Sequence, residues 1–291
     1  MPFDVNDKTT VVVRNVKKNY FVGSRGSKYS ITGGKKHQRV HALRGVSFLA
    51  KAGESIGVIG HNGAGKSTLF RLISGAEAPT AGEIYVSSTP TLLGVSSALQ
   101  DTLSGRDNIR LGLLAMGVKK QEVFPIATDI MSFADISDAI DRPMRTYSSG
   151  MRARLVFAIS TAVRREILLV DEALSTGDKS FEARAKQRMD SFISNAGTVF
   201  VVSHGAGTIK EYCRRALWVH NGEIISDGSA EETTKAYVRW SKMRSRGQKE
   251  RASNYLEEVR RAYCPPEILF DDEAARFLEN DATSDFKIEN F

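Results

Sequence analysis

Nine consecutive residues, Gly60 to Thr68, read GHNGAGKST. Gly60, Gly65, Lys66 and Ser67 fill the fixed positions of the pattern G-x-x-x-x-G-K-[ST], the signature of a phosphate-binding loop. Glycines at 60, 63 and 65 let backbone N–H groups turn inward around a phosphate with no Cβ in the way. A helix starting near Lys66 aims its positive end at the same place. Lys66 is placed to reach the β- and γ-phosphates of a nucleotide, and the Ser67 hydroxyl to ligate Mg²⁺. Asn62 and Thr68 complete the stretch and are grouped with it as nucleotide contacts.

A second constellation is ILLVDE, Ile167 to Glu172. Four apolar residues make a buried strand that ends in two acids. In a phosphate-loop protein Asp171 is then placed to hold Mg²⁺ through its water shell. Glu172 is placed to act as general base on an attacking water. The plain alternative for such a pair is a helix cap or a surface turn. His204 follows the apolar run Thr198 to Ser203. A lone histidine after a strand is usually structural, but this one ends the strand next in order after the acid pair and is a candidate γ-phosphate contact. A third stretch, PMRTYSSGMRARL from Pro143 to Leu155, runs a Ser-Ser-Gly turn into a helix at Met151. It reads either as a second anion site at a helix start or as ordinary capping chemistry.

The elements that must position these groups follow from periodicity. Ser55 to Ile59 reads as a buried strand and Leu69 to Ile73 as the helix after the loop. Thr10 to Asn15 and a segment within Val40 to Ala50 read as strands. Between them Phe21 to Arg39 is expected to be a loop rich in Gly, Ser and Lys, with no Asp or Glu between Asp7 and Glu54. Its charge suits an anionic surface or a phosphorylated substrate, or is merely solvated. Tyr20, at the end of the first strand, is a candidate to stack on an adenine ring, with Tyr29 as rival and simple packing as the alternative. Gly82 to Ser87 and Thr91 to Leu93 read as short strands. Asn108 to Ala139 turns helical through Leu111, Leu113, Leu114, Val123, Ile126, Ile130 and Met131. Ala173 to Asp178 reads as a loop, and Lys179 to Ser194 as a helix. Arg215 to His220 and Glu223 to Asp227 form a hairpin around Asn221-Gly222. Lys235 to Arg261 reads as one basic helix, and after Pro265-Pro266 the chain turns acidic.

Composition sets the frame. The 291 residues are 41% apolar, enough for a substantial core. No run approaches the roughly 18 apolar residues of a membrane span. The start, MPFDVNDK, lacks an apolar signal core, so the chain is expected to stay in the cytosol. Cys213 and Cys264 fit no metal spacing and no disulfide framework. The net charge of +7 favours anionic partners without choosing among them.

The phosphate loop, YSSGM at Tyr147 to Met151, ILLVDE and His204 stand in an order that resembles an ABC-transporter nucleotide-binding subunit over about Thr10 to Tyr237. The resemblance implies an α/β fold: a RecA-like phosphate-loop NTPase core with an antiparallel β subdomain and a helical subdomain near residues 95–165. It implies ATP and Mg²⁺ as cofactors, hydrolysis of ATP, and two copies of the chain sandwiching two nucleotides. Ser148, Ser149, Gly150 and Met151 of one copy would close on the γ-phosphate held by Lys66 of the other, with Asp178 at the dimer interface. A separate transmembrane permease would dock near Leu99 to Ala115 and hold the subunit at the cytoplasmic face of the membrane. YSSGMRARL, the segment LSGRDNI at Leu103 to Ile109 and the long loop before Val40 are similar to exporters of bacterial surface polysaccharides, including O-antigen and teichoic acid. A lipid-linked glycan is then the expected cargo, with a small-molecule or lipid exporter as the alternative. The position where most such cassettes carry a Gln falls on Val95, and Gln100 lies five residues later. Residues 1–240 are expected to form the ATP-binding domain. Residues 241–291 are expected to form a short charged extension, too short for a carbohydrate-binding β-sandwich. Neither a second cassette nor a long coiled coil is visible, so no nucleic acid partner is expected.

Overall fold

The structure, a computed structural model, describes residues 8–23, 37–93, 99–170, 179–194, 197–203, 205–270 and Glu273. Two sheets carry the α/β part. The first is antiparallel, with β1 (Thr9–Gly23), β2 (His37–Lys51) and β4 (Ala81–Val86) in the order β2–β1–β4. The expected loop from Phe21 to Arg39 is shorter than its composition suggests. β1 and β2 continue into it as a hairpin, with Tyr20 opposite Val40 and Phe21 opposite Arg39. Cross-strand backbone pairing sustains extended chain there, where residues 21–23 and 37–39 give no alternating apolar pattern. Along β1 the buried apolar residues, among those described, are Val11, Val13 and then Val16. The change of phase coincides with Asn15, whose φ of 47° marks an irregularity in the pairing of β1 with both neighbours.

The second sheet has the order β5–β6–β7–β3–β8–β9. Its strands are β3 (Ser55–Ile59), β5 (Thr91–Leu93), β6 (Ile167–Val170), β7 (Thr198–Val202), β8 (Arg215–His220) and β9 (Glu223–Ser229). β5 through β8 pair in parallel, and β9 adds an antiparallel edge. β6 and β7 are buried at every position, the unbroken apolar run of strands covered on both faces. Asn221 and Gly222, with φ of 49° and 83°, turn β8 into β9. The helix α1 (Lys66–Ile73) lies between the sheets, and its Leu69, Phe70, Leu72 and Ile73 join one core with Val11, Val13, Phe48 and Phe200.

A separate apolar cluster is built from α2 (Gly105–Ala115), α3 (Val123–Ala134) and α4 (Ser149–Ser160) around Ile109, Leu113, Ile130 and Leu155. α5 (Lys179–Ser194) and α6 (Ala206–Tyr212) flank the parallel sheet. The basic stretch after β9 is two helices rather than one. α7 (Ala230–Ser245) and α8 (Lys249–Ala262) are separated by Gly247 at φ 74°, a backbone state a continuous helix does not admit. Trp240 and Ala252 are buried with Trp218 of β8, so residue 240 falls inside a helix packed on the core. At the start of the acidic segment, Arg14 of β1 makes a two-pronged ion pair with Glu273, one bond 2.9 Å long, and its guanidinium lies 4.7 Å from the Phe270 ring centroid. Among the described residues, no helix is long and apolar enough to cross a membrane.

Candidate nucleotide site

The loop Gly60 to Gly65 leaves the end of β3 and enters α1. A Cβ at Gly60 would stand 2.2 Å from the Val219 carbonyl oxygen, so the loop can leave β3 here only without a side chain. Gly65 sits at φ 113°, and a Cβ there would meet the Ala42 carbonyl oxygen at 2.7 Å. The β8–β9 turn braces the loop from outside, since the Gly222 N–H donates to the Ala64 carbonyl at 2.8 Å and the Arg44 N–H to the Gly222 carbonyl at 2.9 Å.

Lys66 is 5% exposed, and its ammonium donates to the carbonyl oxygens of Gly60 at 2.6 Å and His61 at 3.0 Å. The lysine is therefore folded back over its own loop, within the concavity the loop makes. The Leu69 N–H donates to the Gly65 carbonyl at 2.9 Å and opens the helical ladder. The N–H groups of Lys66, Ser67 and Thr68 stand ahead of that ladder, and no side chain caps the helix. Asn62, Gly63 and Ser67 are exposed at this rim while Thr68 is buried. A loop of backbone donors, one buried cation and an exposed hydroxyl is the donor set that a Mg²⁺-bound polyphosphate requires.

The sheet brings two further strand ends to the same edge. β7 lies between β3 and β6, with Val58 opposite Val202 and Val170 opposite Val201. The chain leaves β6 and β7 level with the point where it leaves β3. In open α/β sheets ligands bind outside the carboxyl ends of the strands, which is this edge. Asp171, Glu172, Asp178 and His204 lie outside the described residues, as do Tyr29 and Val95.

Tyr20 stands near the end of β1 with its hydroxyl donating to Glu77 at 2.6 Å, and the Lys18 ammonium lies 5.3 Å from its ring centroid. The Tyr20 hydroxyl, then Lys18, hold the Glu77 carboxyl below its ordinary range. The ring is thereby pinned at one end.

The Ser-Ser-Gly turn is far away in fold terms, at the start of α4 in the helical unit. Ser148 is the N-cap, its Oγ accepting from the Met151 N–H at 3.2 Å, and the helix begins at Ser149 rather than Met151. Ser148 and Ser149 are exposed, and a Cβ at Gly150 would meet nothing nearer than the Ser148 Oγ at 4.0 Å. The packing within this chain does not require glycine at 150. Tyr147 anchors the turn from below, its hydroxyl donating to the Ala139 carbonyl at 2.8 Å, and burial pushes its pKa up.

Sequence reasoning missed Asn108. It is fully buried in α2, its Nδ2 donating to the carbonyls of Gln100 at 2.9 Å, Leu103 at 3.3 Å and Ser104 at 3.0 Å. Its Oδ1 accepts from the Gln100 N–H at 2.7 Å. One side chain thus shapes the turn from Gln100 to Ser104. Arg152 of α4 pairs with Asp101 of that turn at 2.5 Å, tying it to the helix that carries Ser149. The signal available in the sequence was an amide in a helix whose neighbours at Ile109 and Leu113 are core residues.

Known proteins share this fold. The ABC transporter family profile matches residues 43–175. The teichoic acids export ATP-binding protein TagH of Listeria monocytogenes serotype 4b is 42% identical over 208 residues, which are 70% of this chain and 62% of that protein. The protein of the same description in Lactococcus lactis is 38% identical over 230 residues, 78% of this chain and 49% of its own length. The chain thus spans less than two thirds of these relatives. Among solved structures, a dimeric ATP-binding cassette in a post-hydrolysis state bound to ADP and Pi superposes with a TM-score of 0.59 at 20% identity, covering 76% of this chain and 98% of that one. The ATP-binding subunit of an ABC transporter superposes with a TM-score of 0.60 at 19% identity, covering 79% and 93%. Over residues 43–175 the chain carries the ATP-binding domain of the ABC transporter family.

Proposed function

We propose that this chain is the ATP-hydrolysing subunit of an ABC transporter that exports a lipid-linked surface polysaccharide of the teichoic acid kind across the cytoplasmic membrane. The observation that carries the ATPase reading is the phosphate loop, with Lys66 buried inside it and α1 uncapped behind it, at the edge where β6 and β7 also end. The polysaccharide reading rests on the relatives at about 40% identity whose names say they export teichoic acids.

In this reading Lys66 leaves its two carbonyl partners for the β- and γ-phosphates, joined by the backbone N–H groups at the start of α1. Ser67 and Asp171 would hold Mg²⁺, which would supply positive charge to the phosphates. Glu172 takes the proton of the attacking water, and His204 donates a polar contact to the γ-phosphate. Tyr20 stacks on the adenine, its ring fixed by the bond to Glu77. A second copy of the chain supplies Ser148, Ser149, Gly150 and Met151 in trans. The exposure of the two serines and the open space at Gly150 support this: beyond the Ser148 cap on the Met151 N–H, they face outward from their own helix. Asp178 faces the partner copy. A transmembrane permease seats on the helical unit near Leu99 to Ala115 and keeps the subunit at the cytoplasmic face of the membrane. Residues 1–240 act as the ATP-binding domain with 241–291 as an extension.

The test is Glu172→Gln in the full chain. Hydrolysis is expected to slow by about 10²–10⁴-fold with ATP binding retained. In the host, depletion of the protein is expected to accumulate a lipid-linked polymer at the inner face of the membrane, cleared by wild type and not by the variant. Normal turnover by Glu172→Gln sinks the assigned base, and depletion without accumulation sinks the cargo.

A further inference from the structure

The second residue of the phosphate loop, His61, belongs to an aromatic cluster on the far side of that loop. Its ring lies 4.8 Å from His220 at 73° and 6.1 Å from Trp240 of α7. Trp240 in turn lies 5.1 Å from His220 and 5.7 Å from Trp218. Beside the cluster opens a groove of about 720 Å³, walled by the loop, the β8–β9 turn and the two helices α7 and α8.

The chemistry of the groove is one-sided. Arg244 and Lys249 line it, and no carboxylate among the described residues pairs with either. Arg244 lies with its guanidinium 5.8 Å from the Trp240 ring centroid, a face contact that leaves its N–H fork open. The other arginine nearby, Arg260, is already committed to Glu223. The Nδ1 atom of His220 is buried without a hydrogen-bond partner, a costly state for a polar atom that a bound donor would relieve. Ser241 adds a hydroxyl. Burial first, then His61, Arg260 and Arg244, push the His220 pKa down to about 4. The smaller, cationic part of that pressure, from Arg260 and Arg244, also attracts an anion. A solvated basic face would not also carry an aromatic wall and a buried, partnerless nitrogen.

We propose that this groove binds a phosphate-bearing ligand at a site separate from the nucleotide, with Arg244 and Lys249 holding the anion and His61 reporting occupancy to the phosphate loop. A protonated phosphate or a hydroxyl of the ligand donates to His220 Nδ1. The site is an effector site: whatever fills it touches a residue between Gly60 and Lys66.

The chain contains only two tryptophans, Trp218 and Trp240, and both belong to this cluster, so intrinsic fluorescence reads the site directly. The full chain is held saturated with ADP and Mg²⁺, with occupancy checked separately by displacement of a fluorescent nucleotide. Failure at the nucleotide site then shows apart from failure in the groove. Glycerol 3-phosphate is titrated in, and in parallel vesicles of phosphatidylglycerol. A saturable change in emission is expected, at least about tenfold weaker in Arg244→Gln/Lys249→Gln, because charge-assisted bonds to phosphate are the strong ones. Both residues are exposed, so the double variant keeps the wild-type fold, which circular dichroism checks. Lys119→Gln, exposed after α2, is the control and leaves the titration unchanged. A response to the soluble ester assigns a free phosphorylated metabolite, and a response to vesicles alone assigns a lipid headgroup. No saturable response to either, or one that the double variant leaves intact, overturns the proposal.

Discussion

Replacing Asn108 by alanine tests whether one buried amide holds the turn that links α2 to α4. Four bonds disappear, but they do not count equally. The carbonyl of Gln100 keeps the Leu103 N–H at 3.1 Å, that of Leu103 keeps the Met144 N–H at 2.9 Å, and that of Ser104 keeps the Asn108 N–H at 2.9 Å. Only the Gln100 N–H, which donated to Asn108 Oδ1 at 2.7 Å, loses its acceptor outright. One orphaned donor costs about 1–3 kcal/mol, and the void left by a fully buried side chain adds to it. The sum is about 2–4 kcal/mol, which at this chain length lowers the melting temperature by roughly 3–7 °C. The assay is a thermal melt together with amide exchange at Gln100, which should accelerate far more than the core amides of β3. Asn108→Asp sharpens the test. It keeps the acceptor for Gln100 but points a carboxylate oxygen at three carbonyls. The carboxyl is then favoured protonated in the folded state, its folded pKa lies above the unfolded value, and the variant gains stability as pH falls. An Asn108→Ala chain that melts within about 1 °C of wild type, with unchanged exchange at Gln100, would refute the reasoning.

Three other outcomes follow from the geometry. Ser148→Ala removes an N-cap and should cost about 1 kcal/mol of stability, whereas ATP hydrolysis should drop at least tenfold; equal small losses in both would leave Ser148 as a cap only. For His220, the folded pKa of about 4 lies below the ordinary value of 6.5. The unfolded chain binds the extra proton between those values, so stability should decline as pH falls through that window, and His220→Asn should flatten the decline in a pH series of denaturant melts. Arg14→Ala should leave the melting temperature nearly unchanged but speed proteolytic cleavage after Cys264 several-fold, because the bond to Glu273 and the contact with Phe270 hold that segment on β1; an unchanged cleavage rate would show that the segment is held elsewhere.

What could be read from sequence was whatever is local. The phosphate loop, the apolar strands at 55–59, 167–170 and 198–202, and the helix at 179–194 carry their own patterns, and the hairpin at Asn221-Gly222 announces itself by turn chemistry. The extension of β1 to Gly23 was not legible, because pairing with His37 to Val40 is a property of two segments and not of either. The same holds for the Arg14–Glu273 pair, which spans almost the whole chain. Gly247 split a basic stretch that periodicity alone ran together, since one glycine is compatible with a helix until its φ is known. Asn108 hid in plain view: its type suggests a surface or a cap, and only the turn folded over it explains why it is buried.

The strand order has a consequence for how the protein is made. β3, which presents the phosphate loop, has as its neighbours β7 and β8. Its first rung joins Ser55 to Val199, so roughly 140 residues of chain separate the partners, a loop whose closure is slow. A nascent chain emerging N-terminus first therefore exposes the glycine-rich loop long before the strands that seat it exist. Until β8 clears the ribosome, the Val219 carbonyl that confines Gly60 is not in place. Nucleotide binding can thus serve as a completion check: a truncated product that ends before β8 carries every residue of the phosphate loop but lacks the Val219 carbonyl and the Gly222 turn that brace it.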